Sequence, residues 1–305
     1  MHLTRSTTHL LWDRTIPPAA TVAPGDEVTV EVANSSGGQL SPSSDSTSVA
    51  TLDFTRVNPV TGPIAVDGVE PGDVLVVDVL DIAVDDWGWT ANIPGFGLLA
   101  EDFPSPYLRI SSIADGKIEL FPGGVLPGVP MIGTIGVAPA DGDPASVVVP
   151  TRFGGNMDIR HVSAGSRLLL PVGVPDALLS LGDTHAAQGD GEVCGTGIET
   201  SSTVRLRVDV VRGRDLRFPM VETSPNTTRP GRAVATTGIG PDLMQATRDA
   251  VRGMVDEIVR RTGVDPLDAY LLASVAGDLK ISEVVDAPHW VVSMHVELEL
   301  LEDNR

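Results

Sequence analysis

Residues 181–199 read LGDTHAAQGDGEVCGTGIE. Within this stretch stand Asp183, His185, Gln188, Asp190, Glu192, Cys194 and Glu199, with glycines at 182, 189, 191, 195 and 197. No other segment is so dense in acid/base and metal-ligand side chains. Leu178–Leu181 before it is apolar and strand-like. Thr203–Val210 after it alternates with the period of two that marks a half-buried strand. The dense stretch is therefore read as a loop, or a loop with a short strand, held between two strands. Rigid strands that present a reactive loop are a common arrangement. A plain Gly/Asp turn carrying solvated charge is the competing reading, and it accounts less well for a histidine, a glutamine and several carboxylates together.

The rest of the chain fits a β-rich frame. It has 305 residues, 42% of them apolar, with 32 Gly and 24 Pro, which suits many short strands joined by turns. Pro24-Gly25-Asp26 and Pro71-Gly72-Asp73 each precede a Val-rich run, Glu27–Val32 and Val74–Ile82. Both read as a turn launching a strand. The second run is apolar on both faces, so deeper burial is expected for it. Further strands are expected at Thr134–Val137, Arg167–Val172 and Met294–Leu300. Pro241–Thr262 reads as the one long helix, with an apolar face of Leu243, Met244, Val251, Met254, Val255, Ile258 and Val259 and a stop at Gly263. A shorter helix capped by Asp265 follows. The expected fold is mainly β and sandwich-like, with a smaller α/β part near the C-terminus. We divide it at Asp141-Gly142-Asp143-Pro144 into 1–140, β-rich, and 141–305, which bears the site, unless the two form one intertwined domain.

Charge and composition narrow the partners. The net charge of −20 disfavours a nucleic-acid groove or an anionic membrane surface. No apolar run reaches the length of a membrane span. Cys194 is the sole cysteine, which excludes an internal disulfide and fits a reducing compartment. A soluble cytoplasmic protein is expected. Asn34–Val49 is rich in Ser and Gly, and is either an exposed loop or one that orders over a site. Trp87, Trp89 and Phe96 are read as a core plug or as a pocket wall. His289 and His295 are read as surface or edge residues.

Carboxylates with one histidine suit a divalent cation. Asp183 and His185 share a face if their segment is extended, fit for a common ion. Glu192 or Glu199 could then serve as general base.

The chain as a whole resembles the acetamidase/formamidase family. The resemblance runs through His9-x-x-Trp12, Thr61-Gly62-Pro63-Ile64, Ile93-Pro94-Gly95-Phe96-Gly97, Gly133–Pro139, Gly154-Gly155-Asn156-Met157-Asp158, Gly182–Glu192 and Ser274–Ser282. It implies hydrolysis of a short amide, such as formamide or acetamide, to a carboxylate and ammonia. It also implies a mostly β architecture, a homo-oligomer (dimer or tetramer) and a bound divalent metal, for which we place zinc ahead of calcium. On this pattern Asp158, Asp183 and His185 are the expected metal ligands, and Glu192 and Glu199 the catalytic acids. His9, Trp12, Asn156, Gln188 and Cys194 are expected to meet the substrate. Two alternatives stay open. One is a metal-free amidase using Cys194 as nucleophile with Lys280 polarising the carbonyl, which the nearby carboxylates disfavour by raising a thiol pKa. The other is a non-catalytic β protein that binds a small ligand through a cation.

Overall fold

The computed structural model describes residues 1–225 and 231–302. Two large, mostly antiparallel sheets of nine and eleven strands make up its body. The nine-stranded sheet runs, in spatial order, through Glu27–Val32, Ser202–Val211, Val74–Val84, Arg167–Pro171, Met220–Glu222, Ala233–Gly240, Trp290–Glu297 and Asp278–Glu283, with His2–Leu3 on its first edge. The other sheet holds Val60–Val66, Trp87–Asn92, Met131–Val137, Leu179–His185 and Glu199–Thr200.

Alternation along the strands builds the core. Leu75, Val77 and Val79 of Val74–Val84 enter one apolar cluster with Val28, Val30, Val204, Leu206 and Leu168, and this cluster also takes Ile64, Ile132, Ile135, Leu179 and Leu181 from the second sheet. The two sheets thus close on one interior, to which residues before and after 140 both contribute. Val74 points the other way, into a second cluster formed with the helices. The expectation that this strand is apolar on both faces therefore holds. The two Pro-Gly-Asp turns are built alike: Gly25 and Gly72 take φ 95° and 89°, and Asp26 and Asp73 each accept a hydrogen bond from the backbone N–H three residues earlier.

The long helix spans Leu243–Thr262 and the shorter one Pro266–Ala276. Asp242 caps the first by accepting from the Gln245 N–H, so Pro241 stands outside the helix and not in its first turn. Gly263 ends it at φ 73° as expected. The expected face packs on the second cluster through Leu243, Val251, Met254, Val255, Ile258 and Val259, with Met244 the exception and two alanines added. Ala246, Ala250, Met254 and Ile258 face inward, while Met244 is exposed and Val251 and Val255 lie at the margin. Close approach explains the alanines: a Cβ at Gly238, in the strand beneath, would collide with the Ala246 carbonyl. We expect Gly238→Ala to cost about 1–3 kcal/mol of stability by overpacking; a urea midpoint equal to wild type would contradict this contact.

His295 is a second correction. It is fully buried, edge-to-face with His161 at 4.9 Å, its Nε2 2.7 Å from Ser293 Oγ. Its strand carries helices on one face and the core on the other, so both faces are covered. His289 is half-buried with Nδ1 2.8 Å from the Pro150 carbonyl.

Candidate functional site

The dense stretch begins inside a strand. Gly182, Asp183, Thr184 and His185 belong to Leu179–His185, flanked by Met131–Val137 and by Glu199–Thr200. Register then sets the chemistry. His185 lies opposite Glu199 on one side and Met131 on the other, and Glu199 lies opposite Trp89. A parallel row pairs Gly182 with Thr134 and Thr134 with Asn156. Side chains directly opposite on antiparallel strands touch. The His185 ring accordingly meets Glu199 at 3.2 Å, and its neighbour two residues back, Asp183, at 3.1 Å, both through Nε2. The shared face expected for Asp183 and His185 is present.

Nδ1 of the ring faces a different set. Gln188 Oε1 lies 2.6 Å away, with Asp158 at 3.9 Å and Glu192 at 4.0 Å. Gln188 donates its own NH₂ to the Asp158 carbonyl at 2.7 Å. That bond fixes the amide with its oxygen toward the ring, so Nδ1 carries the proton that Gln188 accepts. In the neutral ring the Nε2 lone pair then points at two carboxylates, an arrangement that calls for a proton or a cation between them. The three expected ligands thus separate into two groups that share His185: Asp183 with Glu199, and Asp158 with Glu192.

Backbone strain marks the same residues. Asp158, Asp183 and Glu192 have φ of 47°, 51° and 44°, and Asn58, whose Nδ2 donates to Asn156 and Thr134, has φ 60°. Such conformations persist where surrounding structure enforces them, and they concentrate at functional sites. Gly133 makes the convergence sterically feasible: a Cβ there would run into Asp158 Oδ1 and stand 2.8 Å from Asp183 Oδ2.

Two acids outside the expected set join the cluster. Glu283 and Asp286 are buried, Asp286 accepts from Asn156 Nδ2, and Glu283 Oε1 accepts the Val285 and Asp286 N–H groups. Their signal in the sequence is the run Ile281–Pro288, where two acids stand among valines and an alanine. Six buried carboxyls, of Asp158, Asp183, Glu192, Glu199, Glu283 and Asp286, gather at this centre, Glu283 and Asp286 beside Asp158. His185 pairs with four of them, Asp158, Asp183, Glu192 and Glu199. Neither oxygen of Asp158 accepts from a protein N–H or hydroxyl.

The protonation pattern follows. Burial, then the charge of Asp183, pushes Asp158 well above the usual carboxyl range. Burial with Asp158 nearby does the same to Glu192, and burial with Glu283 and Glu192 nearby to Asp286. Burial raises Glu283 to about 7. Burial alone would lower His185, but the charges of Glu199 and Asp183 hold it well above the usual imidazole value. So much uncompensated buried acid is costly. A divalent cation on carboxylate oxygens and an imidazole nitrogen is a chemically fitting answer, and the residues present suit one.

The acids open on a cavity of ≈ 190 Å³ lined by Asp183, Glu192, Glu199, Asp286, Asn58, Asn156, Ser35 and Thr196, and by an apolar wall that includes Trp89, Ile93 and Phe96. The Ser/Gly-rich stretch from Asn34 orders over it: Ser35 Oγ donates to Glu199 at 2.6 Å, and Leu40 and Val49 pack on Trp89. Trp89 is thus both core and wall. Of the residues expected to meet substrate, Asn156 lines the cavity and Gln188 orients His185. His9 binds Ser180 Oγ at 2.9 Å, and Trp12 is buried with Val60 and Val147; neither lines the cavity. Cys194, also expected to meet substrate, is exposed with its Sγ 3.5 Å from the Thr196 carbonyl and does not line the cavity. Its neighbour Gly195 takes φ 83° and turns the chain outward there. Lys280 pairs with Asp190 at 3.3 Å.

A buried acid centre around one imidazole, opening on a small cavity of a two-sheet β scaffold, defines a small-molecule site with cation-binding character. The chain belongs to the acetamidase/formamidase family: the model of the Acetamidase/Formamidase family matches residues 1–145 and 140–303. It is a hydrolase of that type. A crystal structure described as a predicted acetamidase/formamidase from Thermoanaerobacter tengcongensis superposes with a TM-score of 0.90 at 34% identity, covering 98% of this chain and 96% of that one. The formamidase of Methylophilus methylotrophus is 29% identical over 96% of this chain and 89% of its own length. The acetamidase of Mycolicibacterium smegmatis is 30% identical over 73% and 69%. No helix among the described residues is long and apolar enough to cross a membrane.

Proposed function

We propose that this chain hydrolyses short primary amides of the formamide or acetamide type, with water, to the carboxylate and ammonia. The observation that carries the reading is the juxtaposition of Glu192 and Asp286 with the Asp183–His185–Glu199 group on one small cavity. Asp183, His185 and Glu199 are the residues we assign to a divalent cation, zinc by preference because an imidazole joins the carboxylates. Such a cation would supply Lewis-acid polarisation of the amide carbonyl.

Glu192 does the proton work. Burial beside Asp158 raises its pKa, which lets it take a proton from the attacking water and give it to the departing nitrogen. Glu199 is the less suited base, since Ser35 Oγ and the Gly197 N–H already donate to its two oxygens. Gln188 holds the His185 ring in one tautomer. Asn58 Oδ1, which has no protein partner, offers an acceptor to a substrate amide, and Asn156 holds Asn58 and Asp286 in place beside it. Ammonia release from primary amides, formamide and acetamide first and larger ones after, by the purified protein tests the proposal; no release from any of them overturns it.

The same cluster predicts a pH effect. Asp158, Glu192, Glu283 and Asp286 have raised pKa values in the fold. The folded state therefore binds more protons than the unfolded chain, and stability falls as pH rises from the ordinary carboxyl range through about 7, the Glu283 value. The raised His185 acts in the same direction, its contribution being lost as pH rises above its ordinary value; the lowered Asp183 opposes both, but at more acid pH. A cation competing with these protons should raise the melting temperature more at pH 8 than at pH 5. Equal shifts at both pH values would contradict this.

A further inference from the structure

Resting on that reading, we propose that the acyl side of the substrate is larger and more apolar than acetyl: the cavity is shaped for primary amides bearing a branched-alkyl or aryl group. The cavity measures ≈ 190 Å³. An apolar cavity of about 150 Å³ holds a benzene ring, so this one exceeds what the few heavy atoms of formamide or acetamide fill.

Its composition agrees with its size. Leu52, Phe54, Val57, Trp89, Ile93 and Phe96 line the same cavity as the acids. The first three come from the segment that folds over the site, the others from Trp87–Asn92 and the turn after it. Phe54 and Phe96 meet edge-to-face at 6.1 Å, and Phe54 remains 52% exposed. Gly195 makes room for the Phe96 ring, which a Cβ there would strike. Amide chemistry needs polar groups at the carbonyl and nitrogen, and Asn58 and the acids supply them. Six apolar side chains are superfluous for a hydrogen or a methyl, but would desolvate a ring or a branched chain.

Kinetics on the full-length protein test this with formamide, acetamide, isobutyramide and benzamide, read by ammonia release, alongside equilibrium binding of benzamide. We expect kcat/KM for isobutyramide or benzamide to exceed that for formamide at least about tenfold, the size of effect that apolar complementarity gives. Ile93→Trp, which fills the cavity, should lower the benzamide-to-formamide ratio about tenfold or more; Val57→Phe serves the same purpose should Ile93→Trp fail to fold. A formamide kcat/KM at or above those of the larger amides overturns the acyl proposal and leaves the amidase reading intact. Should no amide be hydrolysed, the amidase reading falls and binding decides: saturable benzamide binding weakened by Ile93→Trp upholds the apolar pocket, and its absence overturns it.

Discussion

Glu192→Gln is expected to slow ammonia release by about 10²–10⁴-fold, the usual worth of a positioned general acid–base, with fold and bound metal unchanged. The substitution keeps the size of a buried side chain that lines the cavity and removes only its capacity to move a proton. Burial and the neighbouring Asp158 hold the group protonated to higher pH than an ordinary glutamate. Wild-type kcat/KM should accordingly fall on the acid side at a pH above the ordinary carboxyl range, as the base becomes protonated. Loss of metal together with activity would make Glu192 a ligand. Surviving activity would move the base to another acid of the cavity, Asp286 being the nearest candidate in kind.

Gly133→Ala should cost about 10–100-fold in metal affinity or activity, as losses of ligand-supporting contacts do, although position 133 carries no functional group. The new methyl would strike Asp158 Oδ1 and approach Asp183 through both its carboxylate and its carbonyl, at 2.8 and 3.0 Å. The carbonyl is backbone and cannot swing aside, so the two acids must separate. Metal titration followed by calorimetry, with circular dichroism to confirm the fold, checks this. Wild-type affinity would show that the acids do not need to converge.

Much of this was legible in the sequence because it is local. Alternation in Thr203–Val210 and the Pro-Gly-Asp turns gave β structure, and Asp183 with His185 gave a shared face by period alone. What stayed hidden depends on pairing. Glu199 reaches His185 through strand register, and Asn156 reaches Thr134 the same way. Glu283 and Asp286 come from far along the chain, beyond the reach of any local spacing. The helix face was legible except for its closest contacts, which Ala246 and Ala250 make because the strand beneath them has Gly238. His295 misled because alternation shows that a strand has two faces, not that both are covered. The positive φ shared by Asp158, Asp183 and Glu192 is a property of the assembled site, with no counterpart in residue type.

The central claim is that the buried acids around His185 hold a divalent cation on which amide hydrolysis depends. Elemental analysis of the purified protein, before and after chelation and zinc add-back, with ammonia release measured on each sample, tests it most directly. The account predicts bound divalent metal in stoichiometric amount, loss of both metal and activity on chelation, and recovery of both on add-back. Protein stripped of metal that still hydrolyses amide at the full rate would contradict it.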